Sequence, residues 1–216
     1  MSNDRLEEVR KTRTETLEMV ANLSQSEIEF SAEGQWSIGE VLDHLAKSDA
    51  TYLREIEKLI DLKKRGKKPQ IVVSLSKMEF GFPLVPKPLL PFADLPMAVF
   101  NYFLPNSARE LILRNPVIPA EAPPVLRPES GKPKALLVEA LEASLQRTER
   151  LFSDHPGMDF STFRYYHPLF GYNDVFDILG LMASHEKRHQ KQLRRLLGQF
   201  PHSDVTGVTD SAQVPA

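Results

Sequence analysis

Apolar residues recur at three- and four-residue intervals in four stretches of the chain, and that spacing predicts four amphipathic helices. The first, about residues 4–23, carries Leu6, Val9, Leu17 and Val20 behind an acidic first turn. The second opens at Ser37 with Glu40 three residues on, the pattern in which two residues cap each other's backbone N–H. It continues through Val41, Leu45, Tyr52, Ile56 and Leu59 to about Arg65, where Gly66 ends it. The third, about residues 133–152, has Pro133 in its first turn and Leu136, Leu137, Ala140, Leu141, Leu145 and Leu151 on one side. The fourth follows Asn173 or Asp174 as N-cap. It runs through Val175, Ile178, Leu179, Met182, Leu193, Leu196 and Leu197, with a stop expected at Gly198. No strand pattern of comparable strength, internal repeat or glycine-rich phosphate loop is found. The expected fold is all-α, a four-helix bundle forming one domain over residues 1–200.

Helices two and three are separated by residues 66–132, far more than a bundle connection needs. This crossover holds most of the chain's 17 prolines, which forbid long helices but allow short ones at 96–103 and 107–114. It also carries Phe80, Phe82, Phe92, Phe100 and Phe103, rings that free disorder would leave in water. It is therefore read as a lid packed on the bundle, with a membrane or partner surface as the other option. Residues 201–216 are small and polar and read as a flexible tail.

Composition narrows the function classes. The 216 residues contain 27 Lys and Arg against 29 Asp and Glu, so no basic field for nucleic acid is expected. The run from Lys63 to Lys68 ends a helix, where cations favour the negative end of the dipole, and reads as a solvated helix terminus. Cysteine is absent, which removes disulfides, thiolate ligands and a cysteine nucleophile. The polar start of the chain lacks a signal-peptide pattern and no apolar run could span a membrane, so a cytoplasmic protein is expected.

The candidate chemistry lies in histidines. His185 and His189 share one face of the fourth helix and continue its apolar stripe of Val175, Ile178, Met182, Leu193 and Leu196. Burying two imidazoles there is costly unless each finds a partner, and one metal ion would serve both. A catalytic centre of the zinc kind takes three protein ligands. His44, in register with Val41, Ser48 and Tyr52 on the second helix, is the candidate third. The pair could equally be satisfied core residues, or surface residues paired with Glu186 and Asp177. His155, His167 and His202 stand beside prolines in loops and read as structural.

The string His185-Glu186-Lys187-Arg188-His189 also matches the zinc-protease helix, in which the glutamate is general base. The longer form of that motif would need Gly at Gln192 and His at Arg195, and no glutamate follows Glu186 to act as a ligand. Glu186 stays a candidate catalytic or supporting group, with exposure beside Lys187 and Arg188 as the alternative.

The segment Trp36-Ser37-Ile38-Gly39-Glu40-Val41-Leu42-Asp43-His44-Leu45 resembles the opening of the second helix in DinB/YfiT-like metalloenzymes. His167-Pro168-Leu169-Phe170-Gly171, followed by the helix with His185, Glu186, His189, Gln190 and Gln192, resembles their last-helix signature. The long crossover departs from the compact family form. The resemblance implies a bundle with one divalent transition metal on His44, His185 and His189: zinc or nickel first, with iron and manganese also compatible. It further implies an enzyme acting on a small molecule, by thiol S-transfer or hydrolysis, with a low-molecular-weight thiol as a candidate partner. Tyr52, Phe170 and Tyr172 are candidate pocket residues whose alternative is core packing. A non-enzymatic metal-binding or interaction module using the crossover is the rival reading, and a homodimer is one option for assembly.

Overall fold

The computed structural model describes residues 2–73, 124–167 and 171–200. The short crossover helices, the crossover phenylalanines, Phe170, His202 and the tail lie outside them. Helix α1 spans Ser2–Val20, α3 Ile38–Lys64, α4 Lys134–Ser153 and α5 Val175–Gln199. These are the four helices the periodicity predicts. A one-turn helix, α2 at Gln25–Ile28, adds to them.

The helix ends follow the local chemistry. Ser37 Oγ accepts from Glu40 N–H at 3.1 Å, and the Glu40 carboxylate accepts from Ser37 N–H at 2.7 Å. Gly66, at φ +69°, ends α3 where only glycine is unstrained; Lys67 N–H reaches Leu62 C=O at 2.9 Å. Asp174, rather than Asn173, caps α5 with Asp177 as its reciprocal partner. The last helix also runs past Gly198 to Gln199. Phe200 stands extended before Pro201, and a residue preceding proline avoids the helical region, so proline sets that end. At the same end of the bundle, where Leu193 and Leu196 join Ile28, Ile38 and Leu137, Gly39 has no room for a side chain. A Cβ there would meet Ile28 at 3.0 Å and Leu137 at 3.3 Å, so glycine lets α2, α3 and α4 close together.

Helix α1 packs on α4 and α5, and α3 packs on the same two, closing a four-membered ring. The interior is layered. One apolar cluster gathers Leu53, Ile56, Leu59, Ile178, Leu179 and Met182; the other gathers Val41, Leu42, Leu45, Leu137, Leu193 and Leu196. Between them each of the four long helices contributes buried polar groups: Thr12, Arg13 and Thr16 from α1, Ser48 and Asp49 from α3, Ser144 and Thr148 from α4, Glu186 and Gln190 from α5. Arg13 Nη2 reaches Asp49 at 2.6 Å and Glu186 at 3.1 Å, Ser144 donates to Asp49 at 2.6 Å, and Gln190 donates to Thr12 C=O at 2.9 Å. Paired polar groups of this kind can sit inside an apolar bundle, although Arg13 Nε, Ser48 Oγ and Glu186 Oε1 find no hydrogen-bond partner among the described residues.

A small sheet that the sequence does not announce completes the fold. Strand β1 (Gln70–Val72) pairs in parallel with β2 (Arg164–His167), which pairs antiparallel with β3 (Gly171–Asn173). It fastens the start of the crossover to the segment preceding α5. The crossover's other end is fastened to α3: Glu129 N–H and Lys132 Nζ both donate to Asp43 at 2.8 Å, and Lys47 Nζ donates to Arg127 C=O at 2.9 Å. No helix among the described residues is long and apolar enough to cross a membrane.

Candidate metal centre

His44 stands on the second turn of α3, aligned by the Ser37 cap, while His185 and His189 occupy successive turns of α5. The ring of helices puts those two stretches side by side. His185 Nε2 lies 3.3 Å from His44 Nε2 and 3.1 Å from His189 Nε2, and the three ligand atoms all fall within 4.8 Å of one another. An ion held tetrahedrally at about 2.0–2.1 Å from each nitrogen would separate them by about 3.3 Å. The spacing fits a metal.

The tautomers fit as well. His44 Nδ1 lies 2.8 Å from the Leu126 carbonyl, which can only accept, so Nδ1 carries the proton and Nε2 offers a lone pair. His189 Nδ1 lies 3.0 Å from Gln192 Oε1, with the same consequence. Two lone pairs therefore point at His185 Nε2, which could donate to one of them at most. A cation satisfies all three, and fixing the distal nitrogen is how supporting groups orient metal-ligating histidines. Trp36, the chain's only tryptophan, covers the group, its ring 4.9 Å from that of His44 and 6.5 Å from that of His189.

All three imidazoles are held neutral, as ligands must be. Burial pushes His44 below its ordinary value. It pushes His185 well below, helped by the neighbouring rings, and takes His189 down to about 3. A histidine titrates near 6.5 in the unfolded chain, so between about pH 6.5 and 3 the unfolded state binds more protons. Stability of the metal-free protein is then expected to be full above pH 6.5 and to fall progressively as the pH is lowered. Thermal melts at pH 7.5 and 5.0 test this, and a His189→Gln variant should show a flatter slope. Identical melts at the two pH values would mean that the rings are not buried neutral.

Glu186 is brought to a different place. It is buried rather than exposed, and its carboxylate pairs with Arg13 on α1, outside the group of three nitrogens. Burial, with Asp49 nearby, raises its pKa although Arg13 opposes the shift. Tyr52 packs against the apolar core, its hydroxyl pushed up to about 12, and Tyr172 is exposed against Tyr166. His155 bonds the Leu151 carbonyl, and His167 ends β2 with burial pulling it down to about 4. Neither joins the centre.

The supporting groups were the harder ones to foresee. Gln192, three residues after His189, has a helical spacing that could have marked it. Leu126 has none, because a backbone carbonyl leaves no trace in the residue type. Away from the histidines, a groove of about 380 Å³ between α3 and α4 is lined by Glu57, Asp61, Lys64, Arg147, Arg150 and His155. Glu57 lies thirteen residues from His44, about 20 Å along α3, and is paired with Arg147.

A family model described as the DinB superfamily matches residues 8–193, which includes all three histidines. No curated protein and no solved structure matches the chain.

Proposed function

The chain belongs to the DinB superfamily, and on that premise we propose that it is a metal-dependent enzyme acting on a small molecule, by thiol S-transfer or hydrolysis. The observation that carries this reading is the convergence of three Nε2 atoms with no carboxylate joining them among the described residues. Three protein ligands leave a coordination position for substrate or water, whereas structural sites use four. When bound, a divalent metal supplies the chemistry by lowering the pKa of a coordinated water or thiol toward neutrality.

The chain's own residues do the rest. His44, His185 and His189 form the binding face; Leu126 C=O and Gln192 Oε1 hold the tautomers that present it. Trp36 shields one side of the ligand rings from water. On this reading Glu186 serves the site through position, tying the helix that carries both ligands to Arg13.

The test is spectroscopic. Cobalt-loaded protein should show a new absorption band with azide and another with mercaptoethanol, each ligand entering the open position. Quenching of Trp36 fluorescence on loading would report the same centre independently. If neither ligand perturbs the spectrum, the site is closed, and the protein is better read as a non-enzymatic metal-binding module.

A further inference from the structure

Glu186 and Arg188 flank the histidine face of α5 on opposite sides. Successive residues turn by about 100°, so Glu186 lies about 100° round from His185 and Arg188 about 60° the other way. The Glu186 flank faces α1, as its ion pair with Arg13 shows; Gln190 and Lys187 also reach α1, through Thr12 and Glu8. Arg188 therefore stands on the flank turned away from α1, beside the seam where His44 meets the pair.

Its situation there is unusual for a guanidinium. Arg188 is half-buried, and among the described residues no carboxylate or carbonyl pairs with it. The acids nearby are already engaged: Asp43 by Lys47 and Lys132, Asp49 and Glu186 by Arg13. Arg188 follows His185 by three residues on α5, a spacing that makes the two side chains neighbours on the helix surface. A dication on three neutral imidazoles would add positive charge beside an uncompensated cation. Such a site calls for an anion, and a guanidinium fork matches the two oxygens of a carboxylate.

We infer that Arg188 is the substrate-recognition residue of this centre, and that the substrate is a small carboxylate-bearing molecule whose second group reaches the open metal position. This rests on the proposed function above and specifies its substrate class. No bond is made or broken by Arg188; it holds the carboxylate while the other end of the molecule meets the metal.

Three probes of matched size test the inference on cobalt-loaded protein: mercaptoacetate, mercaptoethanol and glycolate, followed by the cobalt spectrum and Trp36 fluorescence. Wild type should bind mercaptoacetate at least about tenfold more tightly than mercaptoethanol, the worth of one charge-assisted hydrogen-bonded pair. Arg188→Gln should erase that preference while metal content and mercaptoethanol affinity stay unchanged. Arg188→Lys should keep part of it, retaining charge without the fork. Equal binding of the two thiols by wild type, or a preference that survives Arg188→Gln, overturns the assignment and leaves the metal reading standing. If neither thiol produces a cobalt–sulfur band but glycolate still binds in an Arg188-dependent way, thiol activation falls and the carboxylate site stands.

Discussion

Wild-type protein is expected to carry close to one divalent metal per chain, and His44→Ala or His185→Ala to lose it under the same dialysis. Structural zinc sites with four ligands are worth about 10–16 kcal/mol, or roughly 2.5–4 kcal/mol per ligand. At about 1.4 kcal/mol per decade, one lost imidazole lowers affinity roughly a hundred- to a thousandfold. Gln192→Ala removes only the acceptor for His189 Nδ1 and leaves all three ligands, so its cost should be about 10–100-fold. Elemental mass spectrometry after graded chelator dialysis separates these two levels. Equal metal in wild type and His44→Ala would dissolve the three-histidine centre. Equal loss in His44→Ala and Gln192→Ala would show that orientation, not ligand number, limits binding.

The second large effect is on stability. Arg13 is 2% exposed and is shared by Asp49 and Glu186 in the polar layer between the two apolar clusters. Arg13→Ala leaves two buried carboxylates with no counter-charge, and removing one partner of a buried ion pair typically costs about 3–5 kcal/mol. Domains are stable by only about 5–15 kcal/mol, so the variant should show a much lower denaturation midpoint in urea. Replacing all three charges together, as Arg13→Met with Asp49→Leu and Glu186→Leu, should recover much of the loss, because no buried charge is then left alone. A triple variant no better than Arg13→Ala would mean that the polar layer contributes more than charge balance. The same variants probe the role of Glu186. Glu186→Gln keeps a hydrogen-bond acceptor for Arg13 and should retain the metal. Turnover lost in that variant at full metal content would return Glu186 to the candidate catalytic groups.

Much of the fold was legible because helices are local. The apolar spacing places all four long helices, and the Ser37–Glu40 pair marks the start of α3 to the residue. The Ser24–Glu27 pair carries the same signature for α2, but one turn of helix offers too little periodicity to be noticed. The strands failed for a related reason. At three or four residues they are too short to show alternation, and β1 finds its partner ninety-four residues away, Gln70 opposite Arg164. The end of α5 lies one residue beyond Gly198 because the proline after Phe200, not the glycine, decides it.

The candidate site divides along the same line. Residue type and a helical period suffice to put His185 and His189 on one apolar face, and the motif around Trp36 singles out His44. That these three meet was not contained in any spacing. His44 and His185 are 141 positions apart, and only the packing of α3 against α5 brings their Nε2 atoms to 3.3 Å. Glu186 shows the limit most clearly. Its neighbours Lys187 and Arg188 suggest a solvated face, yet Arg13, 173 positions away, draws it into the interior, while Arg188 on the other flank has no partner among the described residues. Local pattern determined which residues could serve as ligands. The tertiary structure decided which charges are cancelled and which remain for a ligand, because compensation depends on distances that separation along the chain does not set.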